Sequence, residues 1–246
     1  RHPKLNRAWE RFTDFARRFP FTQGFLQSYK TLHSRGGDST HIEQGGGTCI
    51  SQDDVRRILR VARKNRIRIV PEIQSPGHAY WLCLAHPEIA EWQESPFPDT
   101  LCPSNPRSYE LLFDAMDEMI DLFEPEWVHT GNDEYYFYGI CPQCRDRKGG
   151  DILAGHLNRV NAFLRERGVK HMMWSDKLIN PDELEVKRHP EWGTGAMIKY
   201  AGGERVMDDD AGKYVMKETW PAIDKIPDDI LMSDWYYSLS PDTKKY

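Results

Sequence analysis

The sequence contains no apolar run that approaches the ~20 residues a helix needs to cross a bilayer. Basic residues are not in excess either, because 33 Lys and Arg stand against 38 Asp and Glu and give a formal net charge of −5. Nucleic-acid affinity comes mainly from basic side chains that neutralise phosphates, so nucleic acid is not an expected partner. No secretory signal is visible, although a chain that begins with Arg1 is compatible with a processed or truncated start. We therefore expect a soluble protein with no membrane partner.

Cysteine is sparse, and five scattered residues, an odd number, do not form a disulfide framework. The compartment stays open, with the cytoplasm slightly favoured. Cys141 and Cys144 have the spacing of half a zinc site, but no second pair follows, and Cys49, Cys83 and Cys102 could contribute only through the fold. A plain structural turn is favoured over a bound zinc, and a redox role is weaker still because no helix start follows the pair directly. We expect neither a metal nor a cofactor.

Helical and strand patterns alternate along the chain. Apolar residues at helical spacing, caps and stop signals mark four helices, and glycines among polar residues mark a mobile loop at 33–48. The triple glycine in that loop is not a phosphate loop, because no Gly-Lys-Ser/Thr follows it. The predicted helices are residues 5–19, from a Ser51 cap to about Asn65, from Asn105 and Pro106 to Pro125, and from an Asp151 cap to Gly168.

Four β-branched or apolar runs predict strands, at Ile67–Ile73, Trp127–His129, His171–Asp176 and Ile230–Tyr237, with weaker candidates at Phe25–Tyr29 and Ala196–Tyr200. Strands that alternate with helices imply a parallel α/β sheet. The 246 residues suit a single (β/α)8 TIM-type barrel domain over 1–246, which takes roughly 250 residues. Only four strands are clear, so we expect a barrel that is incomplete, or a fragment that lacks the first and last strands.

The most informative stretch is Glu126–Gly139, which runs from a short strand through a Gly131-Asn132 turn into the adjacent acids Asp133 and Glu134. Aromatic residues follow, and aromatic rings beside two acids suit a site that cleaves sugars. An ordinary acidic turn is the alternative for the stretch taken alone. Neighbouring residues on a regular strand face opposite ways, so both acids reach one site only if the strand has ended or bulged there. Gly131 makes such an ending plausible.

Polar or aromatic residues follow all four clear strands. In barrels and open α/β sheets, chemistry lies beyond the carboxyl ends of the strands. Four strand ends with such residues favour a functional site over an ordinary acidic turn. The residues are Glu72, Gln74 and His78; His129, Asp133 and Glu134; Trp174 and Asp176; and Asp234, Trp235 and Tyr236.

Five segments, in order, resemble the motifs of glycoside hydrolase family 20, the β-N-acetylhexosaminidases. They are Pro71–His78 (PEIQSPGH), Leu101–Pro106 (LCPSNP), His129–Glu134 (HTGNDE), Trp174–Asp176 (WSD) and Asp234–Tyr236 (DWY). The sequence looks most like the hexosaminidase D-like subgroup, in which Gln replaces the usual acid of the first motif and Cys-Pro-x-Cys follows the acid pair.

The resemblance implies a retaining exo-hydrolase for terminal N-acetylglucosamine or N-acetylgalactosamine that uses substrate-assisted catalysis. It implies that Asp133 orients the acetamido group and balances the charge on its nitrogen. Glu134 then protonates the leaving oxygen and later activates water. An ionised Asp133 disfavours the ionised form of Glu134, as a proton donor requires. The expected partner is an N-acetylhexosamine-containing glycan.

The remaining site residues carry alternatives. By resemblance, Trp174 and Trp235 are pocket walls, with barrel-core tryptophans as the competing interpretation. His78 and His129 are hydrogen-bonding members of the site, and a core histidine is an equal alternative for His129. Gln74, Asp176 and Tyr236 complete the predicted substrate-binding set. A non-catalytic carbohydrate-binding remnant and another two-carboxylate glycosidase are the rival functions, and a homodimer is compatible with the exposed aromatics.

Overall fold

The computed structural model describes residues 50–83, 85–94, 98–135, 137–183, 201–209 and 212–234. Several expectations lie outside these residues and are not described. They are the helix at 5–19, the loop at 33–48, the candidate strands at Phe25–Tyr29 and Ala196–Tyr200, and the side chains of Trp235 and Tyr236.

Four α-helices occupy the described ranges: α1 (Gln52–Lys64), the short α2 (Tyr80–Cys83), α3 (Pro106–Phe123) and α4 (Gly149–Glu166). Two of the predicted caps are confirmed. Ser51 Oγ accepts a hydrogen bond from Asp54 N at 3.1 Å, and Asn105 Oδ1 accepts one from Arg107 N at 3.0 Å. These side chains satisfy amide groups that have no partner inside the helix, which fixes where α1 and α3 begin.

A four-stranded parallel sheet carries the order β1 (Glu72–Ser75), β2 (Trp127–Gly131), β3 (Lys170–Trp174) and β6 (Leu231–Ser233). Long helices connect β1 to β2 and β2 to β3, as parallel neighbours require. The prediction of a parallel α/β sheet is therefore confirmed. A complete eight-stranded barrel and a single domain over 1–246 stay predictions.

Two core clusters pack against one face of this sheet, because the strand register places Val128 of the first cluster and Met173 of the second on the same face. One cluster packs α3 against β2 and α4, with Phe113 and Phe163 stacked at 3.9 Å between ring centroids. A second cluster surrounds α4 and β3 and includes the buried Tyr135 and Tyr138. Full burial of one large apolar side chain contributes about 1.5–3 kcal/mol, so these clusters hold the strand ends in fixed positions.

Several predicted boundaries were wrong. β1 begins at Glu72 rather than Ile67, because Pro71 has no N–H for the ladder and only its carbonyl bonds to His129 N. α4 begins at Gly149 rather than after an Asp151 cap, and a Cβ on Gly149 would lie 2.2 Å from Glu218 O, so glycine lets this first turn pack closely. β3 ends at Trp174, and a 3-10 turn follows at Asp176–Leu178.

An antiparallel hairpin, β4 (Arg205–Asp209) with β5 (Gly212–Met216), was not predicted. It lies in the 177–229 segment, where a run of three aspartates that begins inside β4 interrupts the apolar pattern. Among the described residues, none of the helices is both long and apolar enough to span a membrane.

Candidate active site

The acid pair lies where the chain has left β2. Gly131, Asn132 and Glu134 all have positive φ values, of 73°, 72° and 42°, a region that non-glycine residues rarely adopt. The alternation of a strand therefore ends at Gly131, as predicted, and the carboxylates of Asp133 and Glu134 turn toward the same point. Strained backbone of this kind is concentrated at functional sites.

Two glycines let the loops around the acid pair approach each other. A Cβ on Gly131 would lie 1.8 Å from Gln74 Oε1, at the neighbouring end of β1. A Cβ on Gly77 would lie 2.7 Å from Tyr135 Cβ and 2.9 Å from Asp133 O. The predicted Gln74 is thus packed directly against the start of the loop that follows β2 and carries Asp133 and Glu134, which we call the acid loop. Its Nε2 donates to Glu72 Oε1 at 2.6 Å.

His78 joins the two acids. Its Nε2 lies 3.6 Å from Asp133 Oδ2 and 3.7 Å from Glu134 Oε2. The His78 side chain is 3% exposed, whereas Asp133 and Glu134 are 15% and 18% exposed, so the acids open toward solvent while the imidazole lies behind them. We call these three residues the acid cluster.

The charges of the acid cluster stabilise one another. Burial lowers the pKa of His78, but Asp133, together with the charges of Asp99 and Glu134, outweighs burial and raises that pKa to about 9. Burial likewise raises the pKa of Asp133, but His78 and, more weakly, Lys177 outweigh it and lower that pKa below its usual value. At neutral pH an imidazolium therefore faces an ionised Asp133. Asp133 Oδ1 is buried and has no hydrogen-bond partner among the described residues.

Two charged residues near the acid cluster were not predicted from the sequence. Asp99 is fully buried, accepts from Thr100 Oγ1 at 2.7 Å, and has a pKa that burial raises to about 7. Lys177 is also fully buried, with Nζ 3.5 Å from Asp176 Oδ2 and 5.1 Å from the Tyr135 ring centre. Lys177 directly follows the predicted Asp176, and only that adjacency could have suggested it.

His129 and Trp174 meet at the ends of β2 and β3. Their rings pack edge to face at 4.6 Å between centroids and 63° between planes. Gly131 N donates to His129 Nδ1 at 3.2 Å, and Glu72 Oε1 lies 3.4 Å from the same nitrogen. The structure therefore brings His129, Trp174 and β1 together at one edge of the sheet. Asp234 follows β6 and is exposed.

The aromatic residues after the acid pair belong to the core. Tyr135, Phe137 and Tyr138 are buried, and the Tyr135 and Tyr138 rings lie 4.6 Å apart in the second core cluster. They anchor in the core the loop that carries the two acids.

Two groups of side chains in the described ranges have the composition and spacing to hold a metal ion. One is the acid cluster, in which His78 already supplies a positive charge. The other is formed by Glu91, Cys102, Cys141 and Cys144.

Comparisons with known proteins place this arrangement in context. The profile described as "Glycosyl hydrolase family 20, catalytic domain" matches residues 16–198. The chain is similar to "Hexosaminidase D" of Bos taurus, 28% identical over 170 residues that cover 62% of this chain and 49% of the bovine protein. It is also similar to "Beta-hexosaminidase" of Porphyromonas gingivalis, 30% identical over 173 residues that cover 65% of this chain and 22% of that protein.

Among solved structures, the chain resembles a β-N-acetylhexosaminidase from Bacteroides fragilis, with a TM-score of 0.47, 28% identity, and coverage of 52% of this chain and 27% of that one. The matches thus span about half, or less, of the relatives' own length.

Proposed function

Given that the chain belongs to glycosyl hydrolase family 20, a family of glycoside hydrolases, we propose that it carries the catalytic centre of a retaining exo-β-N-acetylhexosaminidase. The reaction is hydrolysis of terminal β-linked N-acetylglucosamine or N-acetylgalactosamine, in which the substrate's acetamido oxygen attacks the anomeric carbon. The observation that carries the proposal is the convergence of two consecutive carboxylates on one buried histidine at the end of β2.

Asp133 acts on the acetamido group. Its Oδ2 faces His78, and its side chain is partly exposed, so the carboxylate can accept a hydrogen bond from the acetamido N–H. His78 keeps Asp133 ionised, and a carboxylate is what balances the positive charge that grows on the acetamido nitrogen in the oxazolinium intermediate.

Glu134 transfers the proton. It first protonates the departing glycosidic oxygen and then removes a proton from the water that opens the intermediate. His78 at 3.7 Å favours the ionised form of Glu134, whereas the carboxylate of Asp133 opposes it.

The other site residues frame the sugar. Trp174 and Trp235 form pocket walls, and Tyr236, Gln74, His129 and Asp176 complete the substrate-binding set. The same family premise makes β1, β2, β3 and β6 four strands of a (β/α)8 barrel. A homodimer stays a prediction.

The test is release of the phenol from an aryl N-acetyl-β-glucosaminide by wild type and by Glu134→Gln. We expect kcat/KM to fall about 10²–10⁴-fold with the p-nitrophenyl substrate, the usual contribution of a positioned acid. A dinitrophenyl leaving group needs little protonation. With that substrate, Glu134→Gln should therefore slow the cleavage step much less than it does with the p-nitrophenyl substrate. Glu110→Gln, which removes an exposed carboxylate on α3, is the matched control and should retain full activity.

The rival functions give different outcomes. Equal rates for wild type and Glu134→Gln would contradict the role of Glu134. Binding of the N-acetyl sugar without turnover would identify a carbohydrate-binding remnant. Cleavage of the plain aryl glucoside as fast as the acetamido sugar would identify a glycosidase that does not use acetamido assistance.

A further inference from the structure

Three buried thiols and one buried carboxylate meet beside the acid loop. Cys102 Sγ lies 3.5 Å from Cys141 Sγ and 3.6 Å from Cys144 Sγ. One Glu91 oxygen joins them, so that all four candidate ligand atoms lie within 4.8 Å of one another. We call Glu91, Cys102, Cys141 and Cys144 the thiol cluster.

These distances fit a tetrahedral zinc site. A Zn–S bond of about 2.3 Å places two sulfurs of a tetrahedron roughly 3.8 Å apart, close to the measured separations. A disulfide would join only two of the three sulfurs, at about 2.05 Å, and would leave the third thiol and the carboxylate crowded together.

The thiol cluster contains only groups that are neutral or negative. Glu91 is 3% exposed, and within the described ranges no lysine, arginine or histidine nitrogen lies within 4.0 Å of its carboxylate. A carboxylate among three thiols, out of contact with water, is a costly arrangement unless a cation accompanies it.

The local backbone is arranged around the sulfurs. Cys144 N and Arg145 N both donate to Cys141 O, at 3.0 Å and 2.9 Å, which closes the Cys-Pro-Gln-Cys turn and points both sulfurs to one side. Glu91 Oε1 and Oε2 accept from Gly139 N at 3.3 Å and Cys141 N at 3.0 Å. Lys217 Nζ donates to the carbonyls of Cys144, Arg145 and Arg147 and fixes the turn from outside.

We propose that the thiol cluster binds one structural zinc ion through the three sulfurs of Cys102, Cys141 and Cys144 and one carboxylate oxygen of Glu91. Binding replaces the thiol protons, which pass to solvent, and it involves no change of oxidation state. Four protein ligands leave no open position, so the ion supports the structure and takes no part in the chemistry.

The ion would hold together two stretches of chain that both serve the acid cluster. Glu91 and Cys102 lie on the segment between β1 and α3, and Cys141 and Cys144 lie shortly after Glu134. Zinc therefore fixes the exit of the acid loop against the segment that also contains Asp99. Each segment supplies only two of the four ligands. The Cys-Pro-Gln-Cys spacing alone therefore does not predict a zinc site.

The test is metal analysis of the full chain, purified under reducing conditions without added chelator. We expect one zinc per chain, and an X-ray absorption spectrum with three sulfurs at about 2.3 Å and one lighter ligand. Loss of a residue that only supports a metal ligand typically weakens metal binding by up to about 100-fold. Cys102→Ser removes a ligand itself and should weaken zinc binding by more than that. Cys83→Ser, which alters a buried thiol outside the cluster, is the matched control and should retain one zinc.

Several results would overturn the proposal. They are wild-type protein that contains no zinc and takes up none when zinc is added, stoichiometric iron or copper instead of zinc, and a disulfide between two of the three cysteines in protein kept under reductant. An unchanged absorption spectrum and affinity in Glu91→Gln would exclude Glu91 as a ligand. The result is independent of hydrolase activity, because metal content is measured without substrate.

Discussion

The acid cluster and the thiol cluster are built from the same two segments of chain, but they balance charge differently. His78, Glu91 and Cys102 lie between β1 and α3, and the acids and the other two cysteines lie after β2. In the acid cluster the cation is a side chain, His78, 3.6 Å and 3.7 Å from two carboxylates. In the thiol cluster the described residues supply ligands but no cation.

The two clusters also differ in exposure. The acids are 15% and 18% exposed and can meet a substrate, whereas the three cysteines are at most 8% exposed. A cluster with its own cation can remain open and reactive. A cluster of ligands alone is stable when it is closed around an ion. The acid cluster is therefore suited to chemistry, and the thiol cluster is suited to structural support.

The largest expected effect comes from Asp133→Asn, which keeps the shape of the side chain and removes its charge. We expect kcat/KM to fall about 10²–10⁴-fold, because the acetamido nitrogen then no longer faces an anion and His78 loses one of the two carboxylates it faces. The His78 pKa should fall from about 9, since burial lowers it once Asp133 no longer opposes. NMR titration of the histidines measures this shift independently of activity, and an unmoved His78 would contradict the coupling.

Cys102→Ser is expected to affect stability more than activity. It should lower the free energy of unfolding by about 3 kcal/mol, or roughly 6–12 °C in melting temperature, through loss of the ion. Well below that temperature, kcat/KM should stay within about tenfold of wild type. Chelator should lower the melting temperature of wild type and of Cys83→Ser, but not that of Cys102→Ser. If chelator still lowered the melting temperature of Cys102→Ser, the stabilising ion could not be the one assigned to the thiol cluster.

How much the sequence could reveal differs between the two clusters for a physical reason. Asp133 and Glu134 are adjacent, and their position after a strand followed from local patterns that the structure confirms. The thiol cluster needs Cys102 and Glu91, which are far from Cys141 in sequence and reach it only through the packing of the segment before α3. The buried Asp99 and Lys177 were missed for the same reason, since nothing local to either residue indicates burial.

The backbone of the acid loop gives a third, smaller effect. Gly131→Ala should cost about 2 kcal/mol, because alanine is strained at a φ of 73° and its Cβ would meet Gln74 Oε1. Gly168→Ala is the matched control, since Gly168 has a φ of 69° but nothing within 4 Å of an added Cβ, so its cost should be about 1 kcal/mol. Chemical denaturation measures both. Adding Gln74→Ala to Gly131→Ala should recover the difference, and equal costs for the two glycines would show that Gln74 does not crowd the loop.

The smallest effect concerns His156, a buried residue of α4 that contacts the end of β1 and the start of α3. Ser75 Oγ lies 3.3 Å from its Nε2, at the end of β1, and Tyr109 OH lies 3.2 Å from its Nδ1. Tyr109 OH also donates to Pro103 O at 3.0 Å, next to Cys102, so the neutral imidazole donates from Nδ1 and accepts from Ser75 at Nε2. Burial lowers the pKa of His156 from 6.5 to about 3.

A lowered histidine pKa means that the unfolded chain binds the proton more tightly than the folded one, so stability is present above pH 6.5 and is lost as the pH falls toward 3. Between pH 7.5 and pH 5, this single group should remove about 2 kcal/mol of unfolding free energy. His156→Gln retains hydrogen-bonding capacity without the titration, so its unfolding free energy should vary with pH by about 2 kcal/mol less than that of wild type. The difference between the two proteins cancels any acid release of zinc, because both retain the thiol cluster. Identical pH dependence of the two proteins in urea unfolding would mean that folding does not shift the pKa of His156, which would contradict a neutral imidazole held by Ser75 and Tyr109.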